Sequence, residues 1–268
     1  MNLEGKRVLI TGGSSGIGLA IARAMLAKGA RVAVTGRNSE RLARSVKDLQ
    51  ENGLPVTGIQ ADVSTTEGRS RSLDKSIEVL GGLDVLVNNA GGVRAGRLEK
   101  TTEVEIRTMV EVDLVAPILL TQAALPHLRS SGDGLVINVT SGIALIGAPF
   151  YATYAAVKAG LSRFGEALRR ELKGEGVRVL TLYPGATDTP MMQSSKAGPE
   201  LGFTREPPEA VANALIEGIE ANSLEVIRGG EARAKMIAAN RDDPAAIDER
   251  FLTMKPALEE AVSDHSAL

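Results

Sequence analysis

From its amino terminus to about residue 229, the chain alternates short β-type runs with longer segments of helical period. The strands predicted by this pattern are Arg7–Thr11, Arg31–Thr35, Val56–Gln60, Val85–Asn88, Leu135–Val139, Val177–Leu182 and Glu225–Arg228. The predicted helices lie near residues 16–28, 39–51, 65–80, 103–130, 152–174 and 208–221. Elements that alternate in this way are joined by right-handed crossovers. We therefore predict an α/β fold with a single doubly wound parallel sheet of about seven strands and helices on both faces.

The last part of the chain has only helical character. Its apolar residues recur at helical spacing, which predicts one amphipathic face: Ile247, Phe251, Met254, Leu258 and Val262. Pro256 is a point at which this helix can break. We expect one domain over residues 1–230 and a helical extension over residues 231–268, which packs on the same domain or on a neighbouring subunit.

Charge and residue usage narrow the classes of partner. The 31 Lys and Arg residues nearly balance 33 Asp and Glu residues and are scattered, which argues against a nucleic-acid or anionic membrane surface. A small-molecule partner is the better expectation. The chain has no Cys, and its two His residues are far apart in sequence, so we expect no metal site.

Two apolar segments bear on localisation. The first apolar run follows charged residues and breaks at Gly12, so we expect no signal peptide and a cytoplasmic protein. The stretch from Leu114 to Leu128 is interrupted by polar residues and prolines and is shorter than a membrane span. We interpret it as a buried helix.

A glycine-rich turn follows the first predicted strand directly and leads into a helix. Its sequence is Thr11-Gly12-Gly13-Ser14-Ser15-Gly16-Ile17-Gly18. Glycines permit a tight turn and let a pyrophosphate approach the backbone, while the free N–H groups at a helix start attract its charge. The alternative is a structural turn that only needs small residues. The strand before the turn and the helix after it favour a dinucleotide site.

The end of the second strand bears on the choice of dinucleotide. It reads Val34-Thr35-Gly36-Arg37, followed by Asn38. In dinucleotide-binding folds an acidic residue near this point holds the ribose 2′-hydroxyl, whereas an Arg accommodates a 2′-phosphate. Gly36 and Arg37 therefore favour NADP (NADPH) over NAD.

Tyr154 and Lys158 form a Tyr-x-x-x-Lys pattern in a segment rich in helix formers, which places both side chains on one helix face. Ser141 lies thirteen residues before Tyr154, just after the Leu135–Val139 strand. Open α/β sheets bind ligands at the carboxyl ends of their strands. The three residues are therefore a candidate catalytic set.

These motifs, taken together and in order, resemble the short-chain dehydrogenase/reductase family. The matching segments are Thr11-Gly12…Gly16-Ile17-Gly18, Asp62-Val63, Asn88-Asn89-Ala90-Gly91, Ser141, Tyr154…Lys158 and Pro184-Gly185…Thr189, and they span roughly residues 5–230. The resemblance implies a Rossmann fold and an NADP(H)-dependent oxidoreductase. The cofactor-binding residues that it and the motifs above suggest are Gly12, Ser14, Ser15, Gly16, Ile17, Gly18, Gly36, Arg37, Asn38, Asp62, Val63, Asn89, Ala90, Gly91, Val112, Tyr154, Lys158, Pro184, Gly185, Thr187 and Thr189. Asp62 as a helix cap and Asn88-Asn89 as an ordinary turn are the alternatives at those positions.

The resemblance also implies a mechanism. An unperturbed phenol has a pKa near 10, so a site that uses one as a base must stabilise phenolate, which the Lys158 ammonium can do. In carbonyl reduction, Ser141 would hydrogen-bond the carbonyl oxygen and Tyr154 would protonate the forming alkoxide. Tyr151 has Ala155 four residues later and cannot replace Tyr154 in this scheme.

One position departs from the family pattern. The family usually has Asn where this chain has Asp113, and the main-chain carbonyl there holds a water that relays protons to the lysine. In an α-helix that carbonyl would face residue 117, which is Pro117 and has no N–H, so we expect it to be free. A carboxylate near Lys158 would raise the lysine pKa. A tolerated isosteric change at Asp113 is the alternative.

The substrate region is less defined by the sequence. The resemblance suggests a mostly apolar pocket, which favours a nonpolar ketone or secondary alcohol, formed by Arg94, Ile143, Ala144, Phe150, Tyr151, Met191 and Met192. Arg94 could instead bind an acidic group. The segment Gln193–Pro208 is expected to form a lid.

The resemblance also bears on assembly and on alternative functions. Members of the family assemble through the helices that correspond to residues 103–130 and 152–174, so we expect a homo-oligomer, either a dimer or a tetramer. A non-catalytic NADP(H)-binding regulator is the alternative function, since a fold does not guarantee chemistry. An epimerase or lyase is a further alternative, but it usually needs a longer variant of the fold.

Overall fold

The computed structural model describes residues 1–268. Its strands are β1 (Arg7–Ile10), β2 (Arg31–Gly36), β3 (Val56–Gln60), β4 (Val85–Asn88), β5 (Val93–Arg94), β6 (Gly134–Val139), β7 (Val177–Tyr183), β8 (Glu225–Ile227) and β9 (Ser266–Ala267). Its helices are α1 (Gly16–Ala27), α2 (Ser39–Glu51), α3 (Thr66–Leu80), α4 (Glu103–Val110), α5 (Ala116–Ser130), α6 (Ala152–Glu171), α7 (Pro208–Glu220), α8 (Gly230–Asp242) and α9 (Pro244–Val262).

Seven strands form one parallel sheet in the order β3-β2-β1-β4-β6-β7-β8. This confirms the predicted doubly wound sheet, with element boundaries that differ by at most three residues. The strand order reverses between β1 and β4, which pair directly, with Val8 opposite Val85. Crevices of this kind, at the carboxyl ends of strands beside a reversal, are where open α/β sheets bind ligands.

The central strands are buried on both faces, as their nearly continuous apolar sequences require. In β1, Val8 and Ile10 face a core that includes α1 and α7, whereas Leu9 faces a second core that includes α3 and α5. Successive strand residues point to opposite faces, so each strand contributes to both cores. This packing fixes the strand ends, and therefore the loops that follow them.

The long helix after β5 is not purely α-helical. Residues Glu111–Val115, between α4 and α5, form a π-helical turn, in which the Ala116 N–H donates to the Glu111 carbonyl. The expectation of a free Asp113 carbonyl assumed α-helical bonding, and that assumption is wrong here because a π turn pairs each carbonyl with the N–H five residues later. A proline at 117 removes one α-helical donor beside this turn.

The same continuous helix, Glu103–Ser130, is long and apolar enough to cross a membrane by length and composition. In the fold it packs against α3 and α6, and its buried face includes Leu120 and Leu128.

The carboxyl-terminal extension folds back onto the domain. Helix α9 continues through Pro256 without the predicted break, and Leu258 and Val262 are fully buried in a third apolar cluster with Val93 and Tyr151. The chain then forms β9, which pairs antiparallel with β5. The sequence did not predict these two strands, because a two-residue strand has no readable alternation.

Candidate active site

Tyr154 and Lys158 lie one turn apart on α6, and Lys158 is buried. The Lys158 Nζ atom lies 3.0 Å from Asp113 Oδ1 and donates to the Val139 carbonyl at 3.3 Å. It also lies 5.7 Å from the centroid of the Tyr154 ring. The ammonium group is therefore held between a carboxylate and the phenol.

Asp113 lies on the π turn and has no exposed surface. Its carboxylate accepts the Gly92 N–H, at 3.1 Å to Oδ2 and 3.3 Å to Oδ1. Gly91 leaves no spare room here, because a Cβ at that position would lie 2.5 Å from Asp113 Oδ1 and 3.2 Å from Lys158 Nζ. The expected carboxylate beside the lysine is thus present and is fixed by the loop after β4.

Burial and neighbouring charge set the ionisation of this group. Burial alone would lower the pKa of Lys158, but the Asp113 carboxylate and Tyr154 outweigh it, so the lysine pKa is raised and the side chain stays charged. Burial raises the pKa of Tyr154; Lys158 and a hydrogen bond with Ser141 oppose this, and Asp113 adds to it. The site therefore favours a protonated Tyr154, the form of a general acid.

Ser141 follows β6 directly and begins a short 3-10 helix over Gly142–Ala144. Its hydroxyl oxygen accepts the Ile143 N–H at 3.3 Å. Because Ser141 stands at the carboxyl end of β6, its hydroxyl lies at the same edge of the sheet as Tyr154, and the two share one cavity. The structure thus brings the candidate catalytic residues together.

A polar cleft runs from the glycine turn to Lys158. The predicted cofactor residues that line it are Gly12, Ser14, Ser15, Gly16, Ile17, Gly18, Gly36, Arg37, Asn38, Asp62, Val63, Asn89, Ala90, Gly91, Val112, Tyr154, Lys158 and Thr189. Pro184, Gly185 and Thr187 line the neighbouring apolar cavity instead.

The glycines of this cleft meet the steric demands of a dinucleotide turn. Gly12 has a φ of 65°, and a Cβ there would lie 2.9 Å from the Ala90 Cα. A Cβ at Gly18 would lie 2.5 Å from the Gly12 carbonyl oxygen and 2.3 Å from Asn89 Nδ2. The turn is therefore packed against the loop after β4, and its open side faces the start of α1. Such a cradle fits a pyrophosphate.

Arg37 and Arg41 both line the adenosine end of the cleft, and both are exposed. Neither side chain belongs to any of the ion pairs of the structure. Asn38 caps α2 by accepting the Arg41 N–H at 2.8 Å, which turns the first helical residues toward the cleft. Arg41 belongs to no motif that the sequence singles out, and its one signal is its place in the first turn of the helix that follows Arg37.

The asparagines and Asp62 have structural contacts as well. Asn88 is buried and donates to Thr121 Oγ1 and Asn138 Oδ1, both at 2.9 Å, so it is not an ordinary turn residue. Asn89 donates to the Thr11 carbonyl at 2.9 Å, which ties the two loops together. Asp62 accepts from Ser64 rather than capping α3, whose cap is Thr65.

A mostly apolar cavity adjoins the cleft. Four predicted substrate residues line it: Ile143, Tyr151, Met191 and Met192. The structure does not bring Ala144, Phe150 or Arg94 into it. Arg94 lies in β5 and donates to Glu105 at 2.9 Å and to the Ser263 carbonyl at 3.0 Å, which turns its guanidinium away from the cavity. Burial raises the pKa of Tyr151 to about 12, so it stays neutral.

Several cavity residues come from the carboxyl-terminal part of the chain, which no sequence motif connects with the site. They are Arg233, Met236, Arg250, Phe251, Met254 and His265. Val93, Ile146, Ala148, Leu201 and Phe203 line the cavity as well. Phe251 and Met254 belong to the apolar stripe of α9, which was interpreted only as a packing face. The segment over residues 193–208 contributes Leu201 and Phe203, and it is joined to α9 where the Lys196 N–H donates to the Ala261 carbonyl at 2.9 Å.

The polar cleft and the apolar cavity meet at Tyr154. The residues that line both are Ile17, Thr140, Tyr154, Thr189 and Met191. A ligand in the cleft and a second ligand in the cavity would therefore meet at the phenol, with Lys158 behind it. The phenol can therefore exchange a proton with a reacting centre at the point where two bound molecules meet.

Comparisons with known proteins agree with this geometry. A family profile described as short chain dehydrogenase matches residues 6–200. The chain is 32% identical to the ketoacyl reductase HetN of Nostoc sp. over 256 residues, which cover 93% of this chain and 89% of that protein. It is 35% identical to 3beta-hydroxysteroid dehydrogenase 1 of Eggerthella lenta over 201 residues, or 74% of this chain and 77% of that protein.

Solved structures are similar as well. A short chain dehydrogenase from Burkholderia cenocepacia in complex with NADP superposes with a TM-score of 0.77 at 33% identity, over 85% of this chain and 97% of that one. An alcohol dehydrogenase from the archaeon Thermococcus sibiricus, complexed with 5-hydroxy-NADP, gives a TM-score of 0.73 at 32% identity, over 80% and 90%.

Proposed function

Because the chain belongs to the short-chain dehydrogenase family, we propose that it is an NADP(H)-dependent oxidoreductase acting on a carbonyl or secondary alcohol carbon of a small, mostly apolar substrate. The observation that carries this proposal is the position of Tyr154, at the junction of the polar cleft and the apolar cavity with Lys158 behind it. A dinucleotide in the cleft and a substrate in the cavity would both reach the phenol.

The residues of this chain then have distinct tasks. When bound, the nicotinamide cofactor supplies the hydride in reduction and accepts it in oxidation. Ser141 donates a hydrogen bond to the substrate oxygen and orients it toward Tyr154. Tyr154 donates its proton to that oxygen as negative charge develops, and the Lys158 ammonium stabilises the phenolate that remains.

The contacts at the other end of the cleft support NADP as the cofactor. Arg37 and Arg41 offer two guanidinium groups without carboxylate partners, and a guanidinium matches a phosphate in shape and charge. Structures of two relatives contain NADP or 5-hydroxy-NADP. No acidic side chain follows Gly36 before Glu40, so nothing at the strand end repels a 2′-phosphate.

The proposal is tested by loss of NADPH absorbance with a panel of ketones, β-keto esters, quinones and steroids. The reverse panel combines NADP⁺ with secondary alcohols. We expect at least one apolar carbonyl compound to consume NADPH, with a higher kcat/KM for NADPH than for NADH. A ratio below one would overturn the cofactor preference, and tight NADPH binding without turnover of any compound would overturn the enzymatic function.

We also propose that the protein is a homo-oligomer. Three apolar side chains on the helix over residues 103–130 are partly or largely exposed, namely Val104 at 74%, Leu119 at 37% and Val110 at 36%. Exposed apolar residues that recur on one element are typical of subunit interfaces. Light scattering tests the proposal, and a monomeric mass would contradict it.

A further inference from the structure

Arg233 brings a positive charge into a cavity that is otherwise lined mainly by apolar side chains. It lies in the first turn of α8, and its guanidinium lies over Gly142, the residue after Ser141. A Cβ at Gly142 would lie 2.9 Å from Arg233 Nη1 and 3.0 Å from its Cζ. The positive charge therefore lies over the residue that follows the catalytic serine.

The guanidinium has no anionic partner. Its hydrogen-bond contact is a long one, from Nη1 to the Gly142 carbonyl at 3.5 Å, and that carbonyl already accepts the Leu145 N–H at 3.1 Å. Arg94 and Arg228, which are also partly buried, are each paired with a glutamate, Glu105 and Glu206 respectively. Burial alone lowers the pKa of Arg233, with no carboxylate to oppose it. A cation that is partly withdrawn from water without a partner is destabilised, and an arginine cannot relieve this by losing its proton.

The surroundings offer Arg233 no other negative charge that could neutralise it. Arg233 lines the cavity and does not line the polar cleft, so the phosphates of a dinucleotide would lie elsewhere. His265, which also lines the cavity, is neutral because burial and nearby Arg205 and Arg94 lower its pKa to about 4. Arg250 is the other charged lining residue, and it too is positive.

We propose that Arg233 binds a carboxylate of the substrate, so that the preferred compound is an apolar oxo acid or hydroxy acid with its acid group close to the reacting carbon. This inference rests on the proposed function and names its substrate class. Ile146, Met192 and Phe251 would hold the apolar part. The N–H groups of the guanidinium fork would donate to both carboxylate oxygens and so orient the carbonyl toward Ser141 and Tyr154.

Binding of a ligand that cannot react tests the site apart from catalysis. Calorimetric titration of octanoate and of octanamide, which differ mainly in charge, is carried out with the NADP⁺-loaded protein. We expect octanoate to bind more tightly, and Arg233→Met to weaken octanoate by about 10- to 100-fold while octanamide is unaffected. Arg233→Lys should keep part of the preference. The matched control is Arg241→Met, which removes an exposed charge from the same helix outside the cavity.

Turnover gives the second readout. A straight-chain oxo acid should have a higher kcat/KM than its methyl ester in the wild type. Arg233→Met should lower the ratio of these two values toward one, whereas Arg241→Met should leave the ratio unchanged. Equal binding of octanoate and octanamide, or equal effects of Arg233→Met and Arg241→Met, would overturn the proposal. If octanoate binding depends on Arg233 but no carbonyl compound consumes NADPH, the carboxylate site stands and the proposed redox function fails.

Discussion

The polar cleft and the apolar cavity of this protein are built in different ways. The cleft is formed almost entirely by loops at the carboxyl ends of neighbouring strands, such as the glycine turn after β1 and the Asn89 loop after β4. The cavity is bordered by the loops after β6 and β7, but it is completed by residues from β5, from the segment after Thr189 and from the carboxyl-terminal helices. The sheet positions the residues of the cleft, whereas packing between segments that are distant in sequence completes the cavity. Cofactor binding and substrate binding should therefore respond to different mutations.

The strongest test of this separation is Tyr154→Phe, at the junction of the two spaces. Loss of the phenolic proton should lower kcat by roughly 10²- to 10⁴-fold, because general acid catalysis contributes that much. NADPH should still bind, as measured by calorimetry, because the glycine turn is untouched. A variant with wild-type turnover would show that another group transfers the proton.

A core mutation under the cavity should separate the two regions by stability. Leu258 is fully buried on α9, and Leu258→Ala should reduce the free energy of unfolding by about 2–5 kcal/mol. We expect the KM for substrate to rise, while the Kd for NADPH measured well below the unfolding transition is unchanged. Leu86→Ala, which makes the same substitution in the central sheet, is the control. It should raise both the KM for substrate and the Kd for NADPH. Equal loss of NADPH affinity in the two variants would mean that the regions are not separable.

The adenosine end of the cleft gives a smaller and more specific effect. Arg37→Ala and Arg41→Ala should each lower kcat/KM for NADPH by about tenfold, since a hydrogen bond to a charged group contributes about 1.5–3 kcal/mol. The kcat/KM for NADH is the internal control and should hardly change. If neither variant alters the ratio of the two values, the 2′-phosphate contacts something else.

The smallest expected effect concerns the pH profile. The Asp113 carboxylate adds to the raised pKa of Tyr154, so Asp113→Asn should lower that pKa. Alcohol oxidation needs the phenolate and speeds up as pH rises through this pKa, so its rising limb should shift to lower pH. The variant should remain active, and the shift is measured from kcat/KM for oxidation against pH. A shift to higher pH, or complete inactivation, would contradict this account of the ion pair.

The sequence predicted the sheet and the cleft well because both depend on local signals. A buried parallel strand is a short apolar run, and the glycine turn sits between a strand and a helix in the chain itself. The Tyr154–Lys158 spacing places both side chains on one face of α6 for the same reason. Even Asp113 could be placed near Lys158, although the π turn that carries it could not.

The cavity was predicted less completely, and Arg233 and Arg94 show why. Both are arginines in unremarkable local sequence. Only the folded chain shows that Arg94 pairs with Glu105, whereas Arg233, far from the motifs in sequence, lies over Gly142. Similarly, the stripe with Phe251 and Met254 reads as a packing face, because spacing along a helix does not tell what the face covers. Contacts between residues so far apart in sequence leave no signal in the local sequence pattern.

The hydrogen bond from the Gly92 N–H to Asp113 links the loop that borders the cleft to the buried charges beneath it. Thermodynamic linkage makes such a connection reciprocal. Any change in proton uptake by Asp113, Lys158 and Tyr154 that accompanies dinucleotide binding must appear, with equal free energy, as a pH dependence of dinucleotide affinity. The Gly92 peptide group thus couples the protonation state of the buried groups to dinucleotide binding.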